Sequence, residues 1–559
     1  MTKGLGRRAA NYGDRDFALY LRRSFALSTG HSRELLEKPV IGIADTRSDF
    51  NNCHRTAPEL VEAVKRGVLA AGGLPLAFPT TSLCEPFLSP CSMHYRNLMA
   101  LDTEAMLSAQ PMDAAVLLGG CDKTVPAQLM AAISAGLPAV QLVVGPMLAT
   151  RFEGERLSAC TDCRRYWAAY RAGTVDEARI AAVEGRLATT AGTCGVMGTA
   201  STMACLAAVL GFMPLPAASI PAVLADRLRA AEEAGRQAVR LVRNPVAPAA
   251  LVTRESVENA VVTLLALGGS TNAVVHLAAI AGRAGVALDL RRLDELSERT
   301  PVLVDLKPTG EGYMEDFHAA GGLPALLHEL RDLLHLDTPD LDGVPLGERI
   351  GAPGYVDRAI IRARGAPVSP VGGIVALFGS LAPDGAILKR AAASPALFER
   401  EARCVVFDGL EDLARRVDDE ALDVTPEDML VLKGAGPLSP AGMPEAGYLP
   451  IPRKLARAGV RDMVRISDCR MSGTAFGTVV LHVAPEAAAG GPLALIETGD
   501  RVRLSVSARR LDLLVDGATL AARRARWAPP PMPARGWDRL VREQVMQAPE
   551  GADLRFLRP

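Results

Sequence analysis

Short unbroken apolar runs alternate with polar, glycine-bearing loops and amphipathic stretches over the first third of the chain. Residues 40–44 (Val-Ile-Gly-Ile-Ala), 114–118 (Ala-Ala-Val-Leu-Leu) and 139–144 (Ala-Val-Gln-Leu-Val-Val) are such runs. Their length and uninterrupted apolarity predict strands buried on both faces. A helix is predicted after the first, opened near Thr56 and Pro58 and closed by Gly72 and Gly73; another covers 126–135 and stops at Gly136. Strand–loop–helix units repeated in this way predict a parallel sheet covered by helices. Ligands collect beyond the carboxyl ends of such strands. The loops 45–54 and 119–124 fall there, and Glu85 lies in a loop between them.

From Pro367 onward the pattern changes. Short β-type runs appear at 373–378, 404–407, 429–433, 463–466 and 478–483, and 501–506 alternates charged or polar with apolar residues. Glycine and proline punctuate them, which predicts a mostly β, barrel-like unit. The fold class expected is therefore α/β, with a parallel-sheet α/β domain over 1–366 and a β-barrel-like domain over 367–559. A proline-rich stretch, 529–533, leads into a terminal helix beginning near Trp537. No internal repeat or low-complexity tract is evident.

A chain of 559 residues exceeds a single core, in keeping with two domains. A net charge of −1 gives no electrostatic basis for nucleic acid or anionic membrane as partner. No apolar stretch approaches the ~20 residues of a membrane span, and the amino terminus lacks a secretory pattern, so a cytoplasmic location is expected. Ten cysteines do not make a disulfide scaffold at this length. In a reducing compartment they read as small buried hydrophobes or metal ligands. Cys84, Cys91, Cys205, Cys404 and Cys469 are assigned to the first group. Cys160-Thr-Asp-Cys163 has the spacing of a redox or zinc pair, without a second pair at zinc-ribbon distance.

Cys53 (Asn-Asn-Cys-His), Cys121 (Gly-Gly-Cys-Asp-Lys-Thr) and Cys194 (Gly-Thr-Cys-Gly) differ from the rest in sitting in polar or glycine-rich loops. Three thiolates suit an iron–sulfur cluster with one open iron better than a structural zinc, which wants a fourth protein ligand. Their wide spacing matches no compact cysteine motif, so spacing alone leaves packed thiols as the alternative. Glu85, Asp122 and Glu445 are hard oxygen donors of the kind Mg²⁺ takes, or solvated carboxylates. Lys123 reads as a lysine paired with a nearby acid; carbamylation would turn it into an oxygen ligand. Ser472 lies between two β runs, and no Gly-x-Ser-x-Gly elbow surrounds it.

Taken together these motifs resemble the family of dihydroxyacid and sugar-acid (aldonate) dehydratases. The likeness runs nearly end to end. It covers Gly-Gly-Cys-Asp-Lys-Thr (119–124), the run 191–202 (Ala-Gly-Thr-Cys-Gly-Val-Met-Gly-Thr-Ala-Ser-Thr) and Gly-Gly-Ser-Thr-Asn-Ala (268–273). Arg-Met-Ser-Gly-Thr (470–474) and the run 482–492 continue it. The resemblance implies a hydro-lyase that converts a 2,3-dihydroxy acid to a 2-oxo-3-deoxy acid, with the active site near a dimer interface. It implies a [2Fe–2S] cluster on Cys53, Cys121 and Cys194. It further implies Mg²⁺ on Glu85, Asp122, carbamylated Lys123 and Glu445, with Ser472 as base and Thr474 positioning substrate. A small hydroxy acid would be the partner molecule, and a homodimer or homotetramer the assembly. Ser-Leu-Cys-Glu-Pro-Phe-Leu (82–88) and the stretch 547–554 look like the sugar-acid branch, acting on a pentonate or hexonate. The alternative substrate is 2,3-dihydroxyisovalerate, of branched-chain amino-acid synthesis. The chain departs from the family pattern at Asn52, where proline is common, at Cys84, where glycine is usual, and at Cys469, in place of a small residue.

Overall fold

The structure is a computed structural model and describes residues 3–559. Strands β1 (Val40–Asp45), β2 (Leu74–Pro79), β3 (Ala114–Gly119) and β4 (Ala139–Val143) form a parallel sheet in the order β2-β1-β3-β4. Both faces are covered, as the unbroken apolar runs require. Ile41, Ile43, Val116 and Leu118 point into one core, while Val40, Ala44, Ala115 and Leu117 point into another. Strand β2 escapes a reading by apolar runs because Pro75 and Pro79 interrupt it. Proline lacks the N–H that a central strand must donate, and β2 occupies the sheet edge, where this is tolerated.

Helix Ala57–Ala70 packs on helix Ala225–Arg243. Here Gly67 and Gly235 let the two backbones touch; a Cβ on either would run into the opposite main chain. The region between the sheets is a helical mass, and apolar periodicity does not resolve those of its helices that have no wet face. Every residue of Thr199–Val209 and of Asn272–Arg283 is buried. A small hairpin, β5 (Thr150–Phe152) and β6 (Glu155–Leu157), stands beside it.

The second sheet has eight strands: β7 (Val375–Leu377), β8 (Gly385–Leu388), β9 (Glu399–Asp408), β10 (Met429–Lys433), β11 (Arg465–Ser467), β12 (Val479–Ala484), β13 (Arg501–Ser505) and β14 (Arg510–Leu513). Their order is β14-β13-β9-β10-β11-β12-β8-β7. The two edges meet where Phe378 bridges to Arg510, with Phe378 N donating to Arg509 O at 2.9 Å and Leu511 N to Phe378 O at 2.9 Å. The sheet is thus nearly closed into the expected barrel. Val406, Val431, Ile466, Val480 and Leu504 are among the side chains that fill it. The four central strands β9 to β12 are mutually parallel, so the loops after β10 and β11 leave at the same end. After the terminal helix Gly536–Gln544 the chain returns to the first half, where Arg96 donates to the carbonyls of Gly551 and Ala552, and Arg283 pairs with Asp553 at 2.6 Å.

Candidate active site

The loops that follow β1, β2, β3 and β4 at their carboxyl ends carry the residues singled out in the first half. Cys53 sits in the 3-10 turn Asn52–His54 after β1, and Cys84 and Glu85 lie beyond β2. Cys121, Asp122 and Lys123 join β3 to helix Thr124–Ala135. Beyond β4, Pro146 bridges to Thr193, and Met147 N donates to Thr193 O at 2.8 Å, which draws in Cys194. From the barrel, Glu445 lies beyond β10 and Ser472 and Thr474 beyond β11. An Ala446–Met471 bridge and the Gly447 N to Arg470 O bond (2.9 Å) tie those two loops together.

The acids converge. Glu85, Asp122 and Glu445 each offer an oxygen within 4.8 Å of the others. Lys123, wholly buried, places Nζ 2.9 Å from Glu85 and 3.7 Å from Glu445, and it also pairs with Asp122. Arg470, equally buried, grips both oxygens of Glu85 (2.9 and 3.0 Å) and reaches Glu445 at 2.8 Å. Burial pushes the Asp122 carboxyl up to about 7 against the pull of Lys123. Burial, reinforced by Glu85, also raises Glu445. At Glu85 burial acts upward as well, but Arg470 and Lys123 outweigh it and hold the carboxyl well below its ordinary range. Burial and Arg470 lower Lys123, yet the three acids prevail and keep it charged. Lys123, Arg470 and, 3.9 Å from Glu445, Arg164 face the three carboxyls, yet Asp122 and Glu445 stay raised; a divalent ion relieves that crowding of buried carboxyls. The residues present therefore fit Mg²⁺.

The cysteines converge less tightly. Cys53, Cys84 and Cys121 interact pairwise through their thiols, and Cys194 lies near enough to feel the charge of Asp122 and Cys121. Among the described residues the three acids form the one group of three or more whose ligand atoms all lie within 4.8 Å of one another. Several thiols gathered in one place offer the sulfur donors that an iron–sulfur group takes. Two assignments made from sequence need enlarging. Cys84 is buried, as a core thiol should be, but it also stands beside Cys53 and Cys121. Cys160 lies with its Sγ 3.2 Å from that of Cys194.

Ser472 Oγ is 2.8 Å from Thr474 Oγ1. Gly473, between them, is pressed on Ser270, whose Oγ would lie 2.5 Å from an added Cβ. Ser270 hydrogen-bonds Thr199, and Asn272 Nδ2 donates to Thr199 at 3.1 Å and to Glu445 at 3.2 Å. This chain links the serine loop to the acids. Sequence reasoning missed Arg470 and His54. His54 is buried beside Cys53, and burial lowers its basicity. Neutral, it accepts from Cys121 N at Nε2 (2.9 Å) while Nδ1 faces Thr46 O (3.0 Å), so it locks the first cysteine loop to the second. An adjacent Cys-His pair was the available signal.

Residues 38–349 match the family described as dihydroxy-acid/6-phosphogluconate dehydratase N-terminal, and 359–552 match its C-terminal counterpart. The chain belongs to this dehydratase family. It is 44% identical to a 6-deoxy-6-sulfo-D-gluconate dehydratase of Pseudomonas putida over 528 residues, 94% of this chain and 91% of the relative. An L-arabonate dehydratase of Azospirillum brasilense is 43% identical over 558 residues, 98% and 96% of the two chains. A dihydroxy-acid dehydratase of Syntrophobacter fumaroxidans is 36% identical over 541 residues, 95% and 96%. Among the described residues no helix is long and apolar enough to cross a membrane.

Proposed function

We propose that this chain is a hydro-lyase acting on a sugar acid, a pentonate or hexonate, and yielding a 2-oxo-3-deoxy acid. The observation that carries the proposal is the trio Glu85, Asp122 and Glu445 within 4.8 Å, joined through Asn272, Thr199 and Ser270 to the Ser472 loop. The sugar-acid dehydratases at 43% and 44% identity support the substrate class. Cys53, Cys121 and Cys194 would hold a [2Fe–2S] cluster, and Glu85, Asp122, Glu445 and a carbamylated Lys123 would hold Mg²⁺. When bound, these groups supply Lewis acidity toward the carboxylate and hydroxyl oxygens of the substrate. Ser472 Oγ removes the proton at C2, and Thr474 Oγ1 at 2.8 Å orients it. An unaided hydroxyl is a weak base, so this role depends on positive charge gathered around the loop. Carbamylation needs a free amine, and the three acids hold Lys123 as an ammonium. The modification therefore accompanies neutralisation of those acids.

An anaerobic assay with Mg²⁺, reading 2-oxo acid formation from pentonates, hexonates and 2,3-dihydroxyisovalerate, tests the reading. Turnover on a pentonate or hexonate is expected. Turnover on dihydroxyisovalerate alone would replace it with the second reading, which the 36% identical dihydroxy-acid dehydratase supports. We further infer a cytoplasmic homodimer or homotetramer. Phe50 and Phe87, 73% and 66% exposed and packed edge to face beside the site loops, support association. A monomer mass by sedimentation at micromolar concentration would remove that inference.

A further inference from the structure

Cys160 and Cys163 form a Cys-x-x-Cys pair at the start of an 11-residue helix, Thr161–Arg171; Cys160 is its N-cap and Cys163 lies in its first turn. That spacing places both thiols on one side of the helix end. The two thiols interact with each other, and Cys160 Sγ is also 3.2 Å from Cys194 Sγ. A disulfide bond is about 2.05 Å long, so Cys160 and Cys194 need only a small approach to bond. Cys160, Cys163 and Cys194 are partly exposed to solvent, as is Cys53, whereas the other six cysteines are buried. The trio is within reach of a small oxidant, and one member is a cluster ligand in the reading above, on which this inference rests.

We propose that Cys160 and Cys163 form a thiol relay that protects Cys194 from irreversible oxidation by peroxide when the cluster is absent. The Cys194 sulfur attacks one oxygen of hydrogen peroxide, breaking the O–O bond; it becomes a sulfenic acid, and the other oxygen leaves as hydroxide and takes the thiol proton to become water. The Cys160 thiolate attacks that sulfur, forming the Cys160–Cys194 disulfide and expelling hydroxide, which takes up the proton Cys160 released and leaves as the second water. The two electrons withdrawn from the sulfurs are those that reduce the peroxide. Cys163 Sγ, giving up its proton to solvent, then attacks Cys160 Sγ, breaks the bond to Cys194 and forms Cys160–Cys163. Cys194 returns as a thiolate, free to take a metal, with no net electron transfer in this step. A cellular dithiol restores the Cys160–Cys163 pair by exchange, itself leaving as a disulfide.

The test uses full-length protein, stripped of metal by chelation, treated with one equivalent of hydrogen peroxide, alkylated and mapped by non-reducing peptide mass spectrometry. Wild type should show a Cys160–Cys163 link with Cys194 alkylated, and Cys163→Ser should trap a Cys160–Cys194 link. Cys160→Ser should hold wild-type iron as isolated, but should carry Cys194 as sulfinic acid after peroxide and recover less than about a tenth of its iron on reconstitution. Absence of any Cys160–Cys194 link in Cys163→Ser overturns the relay, and so does iron loss in Cys160→Ser as isolated, which would make Cys160 a ligand. The ligand reading is judged separately: Cys194→Ser that keeps its iron refutes it, whatever the disulfide map shows.

Discussion

Ser472 and Lys389 meet at one turn, and they make separate predictions. Ser472→Ala should lower turnover by about 10²- to 10⁴-fold, the usual contribution of a proton-transfer group, with iron and magnesium content unchanged. Undiminished turnover would remove Ser472 as the base. Lys389 is buried, and its Nζ meets the Gly473 carbonyl at 3.3 Å. Burial lowers its ammonium to about 7. An unfolded lysine titrates near 10.4. Between those values the unfolded chain holds a proton that the folded chain has released. Stability therefore climbs as pH rises from about 7 toward 10, and the full penalty applies below 7. Lys389→Met should raise the thermal midpoint most at pH 6.5, a gain on the order of 2–4 kcal/mol, and the gain should close toward pH 10. A gain that does not vary with pH would show that the ammonium is not penalised. Neither Lys389 nor Arg470 stood out in the sequence, because what distinguishes them is burial, and burial of a long charged side chain has no local signature.

The elements that position the site were legible where hydrophobic pattern and turn chemistry agree. Strands β1, β3, β4 and β10 appear at their expected places, and so does the loop that carries Cys121. Strand β2, with its prolines, and the short β8 and β14 were not legible. Nor was the pairing of Cys160 with Cys194, which sequence separates by a helix pair and which the bond from Gly195 N to Ala159 O (3.1 Å) draws together. The motif Arg-Met-Ser-Gly-Thr was legible as a loop, but the reason for its glycine was not. A Cβ on Gly473 would stand 2.5 Å from Ser270 Oγ and 2.8 Å from Thr199 N. Gly473→Ala should therefore push the serine turn off the helix start at Thr199. The expected cost is about 1–3 kcal/mol of stability, in the range of overpacking, with a larger fall in turnover than in stability. Wild-type turnover in this variant would mean that the turn has slack and does not aim Ser472.

On the scale of the whole molecule, the acid trio is drawn from both sheets. Glu85 and Asp122 belong to the first sheet's loops, while Glu445 belongs to the barrel, and Arg470 from the barrel grips Glu85 across the gap. One large core also runs from Ile41 through Ala266 to Leu481, so the halves share packing as well as charge. A cation held by all three acids would favour the folded arrangement by mass action, since the unfolded chain offers no such trio. At a free concentration about 100 times the dissociation constant, that amounts to about 2.7 kcal/mol. Magnesium should therefore raise the thermal midpoint of the full chain, and chelation should reverse the rise. Glu445→Gln should abolish most of it, because the remaining two acids lie in one half and cannot join the two sheets. A midpoint insensitive to Mg²⁺, or a rise that survives in Glu445→Gln, would mean that Lys123 and Arg470 already satisfy the acids and that the metal binds elsewhere.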